Sequence, residues 1–405
     1  MVKLNDYTAI VGPSVMARIR QKAKKLAGKK IVAISSTHQG GGVAEILNSF
    51  VFLMNELGIN FGWRIIHGTP DFFEITKIIH NGLQGAEVKL TNRQKQVYLE
   101  VLRRFSVFNH LHHDLVIIHD PQPLALIDFY QKKQPWIWRC HVDLSDPGKS
   151  PWDFLAAYVK KYDAMVVSDE RYKKNLAVGQ KIIHPAIDPL SDKNKKLTAL
   201  EIKRVLKNLG VNPAKPIIAQ VSRFDLFKDP AGAAEIFRLV RKKINCQLVL
   251  LGNTASDDPE GVVVYEGLLK KYGRDKDIKI LINVHENDLA VNAVQRAASV
   301  VMQKSTKEGF GLVAAEALYK GTPVVASGVG GLPLQVLNNQ TGFVHPPDDF
   351  LGFARSIEEI LKNKKLREKL GEQGRQHVID HFLITRLLED WLDLFAEYLP
   401  AKKRR

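Results

Sequence analysis

The sequence predicts an α/β protein made of two doubly wound parallel-sheet domains that face each other across a cleft. Two observations carry this. Short β-branched runs alternate with segments whose apolar residues recur three and four apart, the pattern of parallel strands joined by helices. The strands are too apolar to be half exposed, as expected when helices cover both faces of a sheet. At 405 residues, 45% hydrophobic and 25% charged, the chain has material for about two to three domains.

In the first half the strands read KKIVAISST, INFGWRIIHG, DLVIIHD, PWIWRCHVD and DAMVVSD, each followed by a helical pattern. Near residue 184 the rhythm breaks at HPAIDPLSDKNKK, a proline- and charge-rich linker composition, before a polar helix near 198–209. A second series follows, PIIAQVS, CQLVLLG, IKILINV, SVVMQKS, TPVVASG and TGFVHP, enough for another complete domain. Beyond it the chain is helical. Leu387, Leu388, Trp391, Leu392, Leu394 and Phe395 form a broad apolar stripe that must be covered, and packing back on the first domain is the expectation. A second copy of the chain, giving a homodimer, is the alternative cover. The expected division is 1–200 with its linker near 184–200, then 201–380, then a terminal helix and basic tail over 381–405.

Lys and Arg number 59 against 43 Asp and Glu, a net charge of +16. That excess permits a nucleic-acid partner, but it is spread through both halves, with only Lys402, Lys403, Arg404 and Arg405 clustered. No module interleaves aromatic and basic residues, so no nucleic-acid partner is expected. No apolar run approaches the roughly 18–20 residues of a membrane span, and the start, MVKLNDYTAI, has no signal-peptide block. Cys140 and Cys246 fit neither a zinc site nor a redox pair. A cytoplasmic protein without a membrane partner is the expectation.

Candidate chemistry sits where strands end. After the first strand, Gly40-Gly41-Gly42 open a helix, where close backbone approach and a positive dipole end suit a diphosphate; a plain tight turn is the other reading. After the first strand of the second domain come Ser222, Arg223 and Lys228, a guanidinium fork and an ammonium suited to a diphosphate leaving group, or else a solvated loop pair. The sharpest segment is Glu308-Gly309-Phe310-Gly311-Leu312, with Glu316 about two turns further in. A helix starting near Phe310 would offer its amides, Glu308 could accept from sugar hydroxyls, and Glu316 could hold a ribose diol. Of 13 histidines, His119 and His141 stand out at strand ends, with Asp120 and Gln122 placed to read hydroxyls of a second substrate. Asp143 and Asp146 do not complete a recognisable metal site.

Ser222-Arg223 with Lys228, Glu308 and Glu316 with seven residues between them, and Gly330-Gly331 before a short helix resemble the second-domain pattern of retaining, family-four nucleotide-sugar glycosyltransferases of the GT-B fold, two Rossmann-like domains. In the first domain GGGVAEIL, HNGLQG, VIIHDPQPLALI, QPWIWRCHVDLSDP and IDPLSDKNK are similar to the trehalose glycosyltransferring synthases. The resemblance implies joining of a nucleoside-diphosphate glucose to free glucose, reversibly or not. It puts Gly41 and Gly42 at the phosphates, Arg223 and Lys228 on the diphosphate, and His141 and Glu308 at the transferred sugar. Backbone amides of Gly309 to Leu312 would meet sugar and phosphate, Glu316 the ribose, and Asp120 and Gln122 the acceptor. It implies no prosthetic group and leaves room for Mg2+, though not as a protein-bound catalytic metal. Leu226-Phe227 in place of Pro-Trp, Lys307 in place of arginine, and the segment Leu332-Pro333-Leu334 depart from the pattern. They leave the clamp and both glutamates intact and bear on donor base and reaction direction.

The rival readings are a retaining trehalose phosphorylase, with phosphate in place of the nucleotide, and a glucosyltransferase with another sugar acceptor. A nucleotide-sugar epimerase lacks support in the motifs. A catalytically silent sugar-nucleotide sensor is disfavoured by the presence of Arg223, Lys228, Glu308 and Glu316 together.

Overall fold

The computed structural model describes residues 2–38, 41–253 and 260–399, so the tail cations Lys402 to Arg405 lie outside the described residues. The chain forms two compact units, Met1–Pro185 with Ile384–Arg405, and Ala186–Leu383. None of the described helices is long and apolar enough to cross a membrane.

The first unit holds six parallel strands: β1 (Lys30–Ser35), β2 (Asn60–Ile65), β3 (Leu115–His119), β4 (Trp136–Arg139), β5 (Ala164–Val167) and β6 (Gly179–Ile182). Their order is β2-β1-β3-β4-β5-β6. β3, β4 and β5 are buried along their whole length, which explains their unbroken apolar runs. Side chains of β4 reach a core in which Trp136 and Trp138 are joined by Phe72 and Tyr98, whose rings stack at 5.9 Å. The sequence reading has five strands here; the sixth, Gly-Gln-Lys-Ile, is a half-exposed edge strand paired to β5 through Val166 and Lys181, and its polar composition hides it.

The terminal helix, Ile384–Tyr398, belongs to this unit. Its stripe is buried as expected: Leu387, Leu388, Trp391, Leu392, Leu394 and Phe395 are all 4% exposed or less. Trp391 meets Phe50 of helix Gly42–Glu56 at 6.3 Å, and Phe395 meets Phe61 of β2 at 6.4 Å. On its rim Glu389 and Asp393 pair with Arg18 and Lys22 of helix Pro13–Lys24, at 3.0 and 2.6 Å.

The second unit repeats the plan with β7 (Ile217–Val221), β8 (Gln247–Gly252), β9 (Ile278–Ile282), β10 (Val300–Gln303), β11 (Val324–Ser327) and β12 (Gly342–His345), all parallel. The order β12-β11-β10-β7-β8-β9 is that of a dinucleotide-binding sheet, and the strand order reverses between β7 and β10. In the first sheet the reversal falls between β1 and β3. Loops leaving the carboxyl ends at a reversal diverge to opposite faces and leave a crevice.

The proline-rich segment after residue 184 is docked on the second unit. Asn292 donates from Nδ2 to the carbonyls of Asp192 and Lys195, both at 2.8 Å. Arg296 donates to the Asn194 and Lys195 carbonyls, and Lys320 Nζ to Asn194 Oδ1 at 2.6 Å. Thr198 and Glu201 then form a reciprocal cap that starts helix Ala199–Asn208.

Because Trp391 fills the seam between the terminal helix and the first sheet's covering helix, Trp391→Ala should destabilise the first unit by about 3–5 kcal/mol. In a urea titration followed by circular dichroism the first unit's transition moves to lower denaturant while the second unit's stays in place. Coincident shifts of both transitions would contradict this assignment.

Candidate active site

In the second unit, the loops after β7 and β10 flank the reversal and are stapled by one side chain. Gln220, near the end of β7, donates from Nε2 to the Lys228 carbonyl at 2.9 Å and accepts from the Lys304 amide at 3.3 Å. Around this staple, Asp225 accepts from the Lys228 amide at 3.0 Å and closes the short 3-10 turn Leu226–Lys228. Asp229 sits at φ +42, caps helix Pro230–Arg241 through the Gly232 amide, and pairs with the buried ammonium of Lys304, which also lies 4.9 Å from the centre of the Phe350 ring. A Cβ on Gly232 would come within 2.2 Å of that carboxylate, so a larger residue there would push the carboxylate from its place.

The result is a close contact between the two loops: Lys228 Nζ stands 2.6 Å from Glu308 Oε2, a charge-assisted hydrogen bond. Ser305 Oγ and Gln303 Nε2 reach the same oxygen at 3.3 and 3.4 Å. Arg223 is nearby in sequence but more exposed, with Nη2 3.4 Å from Asp225 Oδ2. Ser222 donates its amide to the Leu251 carbonyl, and a Cβ on Gly252 would lie 2.0 Å from the Ser222 carbonyl, so β7 and β8 end in close backbone contact.

The Gly-Phe-Gly segment has a conformational reason. Gly311 takes φ +81 and precedes helix Leu312–Tyr319, which therefore begins at Leu312 rather than near Phe310. Phe310 itself is buried against Phe382, with centroids 5.6 Å apart, so its ring belongs to the core. Gln335 donates to the Phe310 carbonyl at 2.5 Å and accepts from the Ala315 amide at 3.0 Å. The Gly330-Gly331 pair lets the next loop pass directly under: a Cβ on Gly330 would fall 1.7 Å from the Glu308 carbonyl, and one on Gly331 2.5 Å from the Phe310 ring. Glu316 is buried, with Gln295 Nε2 at 3.4 Å and Lys193 Nζ at 3.8 Å.

In the first unit the candidates cluster at the ends of β1, β3 and β4. Gly41 adopts φ +102 and helix Gly42–Glu56 starts directly after it; Gly40 lies outside the described residues. Asp120 is at φ +65, and its Oδ1 accepts from the His141 amide at 2.7 Å, so it fixes the turn that presents His141. The Trp138 indole donates to the Asp120 carbonyl at 3.0 Å. Gln122 has a buried Oε1 without a hydrogen-bond partner among the described residues. His119 Nδ1 and His141 Nε2 are 3.1 Å apart. Both imidazoles are held neutral: burial and then the Arg139 charge push His119 down to about 3 and His141 well below its usual value. Burial likewise lowers Arg139 to about 10.

Of the residues singled out in the sequence, the structure brings Lys228 together with Glu308 and His119 together with His141. Sequence reading did not single out Gln220, Ser305, Lys304 or Lys193, whose contacts depend on the folded loops, nor Arg139, which lines the same cavity as His119. Among the described residues no group of three or more His, Cys, Asp or Glu is arranged to hold a metal ion.

The neutral state of His119 has a measurable cost. The folded chain keeps it unprotonated down to about pH 3, whereas the unfolded chain protonates it near 6.5. Between these values the unfolded state binds more protons, so acidification destabilises the fold by about 1.4 kcal/mol per pH unit for this residue. Thermal midpoints measured from pH 7 to 4 should fall, and His119→Asn should flatten the fall; equal slopes would contradict a buried neutral His119.

Comparison with known proteins finds relatives for both units. Residues 33–174 match the family described as trehalose synthase, N-terminal domain, and residues 201–377 the glycosyl transferases group 1. The trehalose synthase of Pyrococcus horikoshii is 44% identical over 403 residues, covering 97% of this chain and 95% of that protein. A trehalose phosphorylase of Pleurotus pulmonarius is 26% identical, the match covering 99% of this chain but 61% of that protein. Among solved structures, sucrose-phosphate synthase from Thermosynechococcus elongatus superposes with a TM-score of 0.71 at 20% identity, over 91% of this chain and 99% of that one. Two six-stranded parallel sheets, loops meeting at a strand-order reversal and near full-length identity to a trehalose synthase agree: the chain belongs to the trehalose synthase family and is a glycosyltransferase of the GT-B fold.

Proposed function

We propose that the enzyme is a retaining glucosyltransferase that transfers glucose from a nucleoside-diphosphate glucose to free glucose, giving α,α-trehalose. The observation that carries the reading is the 2.6 Å contact of Lys228 with Glu308 at the reversal between β7 and β10. A cation for the leaving group and a carboxylate for the sugar are thereby supplied side by side from two different loops.

In this reading the diphosphate lies against Arg223 and Lys228 and against the backbone amides at Gly309 to Leu312, with Ser222, Gly41 and Gly42 allowing close approach. Glu308 accepts from hydroxyls of the transferred glucose, Glu316 from the ribose, and His141 contacts the same sugar. Asp120 and Gln122 face the acceptor. As the bond from C1 to the phosphate oxygen breaks, its electron pair moves onto the diphosphate and C1 becomes oxocarbenium-like. Cations fixed on that oxygen stabilise the transition state more than the bound substrate. The acceptor hydroxyl attacks C1 from the face the phosphate leaves, and its proton passes to the departing phosphate oxygen, so configuration is retained without a carboxylate nucleophile. No prosthetic group enters these steps.

Incubation with ADP-, UDP- or GDP-glucose plus glucose should release the nucleoside diphosphate and form α,α-trehalose, identified by chromatography and anomeric NMR couplings. Glucose 1-phosphate from trehalose plus phosphate, without nucleotide turnover, would instead establish a phosphorylase, and glucosylation of another sugar alone would refute glucose as acceptor. Glu308→Gln and Lys228→Met should each lower kcat by about 10²–10³ with the fold intact. Glu316→Ala should act chiefly by raising the KM for the nucleotide sugar.

A further inference from the structure

At the ends of β3 and β4 the first unit contains a cavity of about 20 Å³, room for one water, whose apolar wall includes Leu47, Phe50, Ile117 and Trp391. Its polar side is His119, Arg139 and His141. Two buried atoms of these residues have no hydrogen-bond partner among the described residues: Nε2 of His119 and Nη1 of Arg139. His119 is 5% exposed and Arg139 1%. Arg139 is held from its other side by Ser168, whose Oγ accepts from Nη2 at 3.0 Å.

The two imidazoles meet edge to edge. Their planes differ by 16°, and the 5.4 Å centroid separation is the 3.1 Å Nδ1 to Nε2 distance plus one ring radius at each end. The two nitrogens therefore point at each other. With both rings neutral, a single proton lies between them. If His141 donates it, His119 must carry its own proton on Nε2, facing the cavity. If His119 donates it, Nε2 is a bare acceptor there. The remaining polar group of the cavity is a guanidinium, which has donors and no acceptor. An acceptor on His119 suits it through one water in the cavity, while a second donor in an apolar wall does not.

We propose that Arg139 and His119 set the tautomer of His141: His119 accepts at Nε2 from the guanidinium side, donates from Nδ1 to His141 Nε2, and so leaves the His141 proton on Nδ1 as a hydrogen-bond donor to a sugar hydroxyl. His119 is thus a positioning residue, and the inference rests on His141 contacting the transferred sugar. It also fixes the polarity of that contact, because the hydroxyl must accept.

The test is long-range ¹H–¹⁵N correlation on the full chain labelled with [¹⁵N]histidine, with signals assigned by His119→Leu and His141→Leu. Both rings should be protonated at Nδ1 and bare at Nε2, and Arg139→Met should abolish that preference. Protonation of both rings at Nε2 would overturn the proposal. In turnover, His119→Asn, whose amide can donate from the Nδ1 position, should keep most of kcat, whereas His119→Leu should lose about tenfold or more. Equal kcat in the two variants would also overturn it. If His141→Ala leaves nucleotide-glucose turnover unchanged, the assignment of His141 to the sugar fails instead, and the spectrum still decides the tautomer. Should the Leu variant not fold, the spectrum of the unsubstituted chain discriminates between the two proton arrangements by itself.

Discussion

Everything in the second unit's site depends on holding a carboxylate and an ammonium 2.6 Å apart in a mostly buried place without letting them collapse into an inert pair. Desolvating two charges is costly, and the pair persists because each end has further support. Ser305 and Gln303 share the load on Glu308, and Gln220 fixes the backbone of Lys228. Behind them, Lys304 and Asp229 form a second ion pair that ties the end of β10 to the start of helix Pro230–Arg241. The inner pair and the amide staple thus hold both loops in position independently of the outer pair.

The same logic recurs in the first unit with neutral groups. Asp120 anchors the His141 turn by its backbone, and the imidazole is met by another imidazole instead of a charge. Burial and then the positive potential of Arg139 keep both rings neutral.

Much of this was legible in the sequence, for a physical reason. Parallel strands buried on both faces must be continuously apolar, so β1, β3, β4 and β5 and their counterparts in the second unit announce themselves, and residues at their carboxyl ends become candidates. Glycines with forced close approach, such as Gly330 and Gly331, are readable as motifs because no other residue fits. What escaped were contacts made across the fold by ordinary polar residues. Gln220 and Lys304 are 84 residues apart, and Lys193 reaches Glu316 from a segment whose composition suggests a free linker. The edge strand β6 escaped because Gln180 and Lys181 are half-buried on a sheet margin, where they bind the Lys174 backbone and Glu397 rather than an apolar core.

The terminal helix has one more consequence. The first unit is closed by residues 384–398, so during synthesis it stays incomplete until nearly the whole described chain has emerged. The second unit, continuous in sequence, can finish folding first. Until then Phe50 and Phe61 lack the aromatic cover that Trp391 and Phe395 provide, and a nascent chain exposes an adhesive strip on its oldest part. The order of maturation thus runs opposite to the order of translation, and a ribosome stalled late in the message would release a sound second unit attached to an aggregation-prone first one.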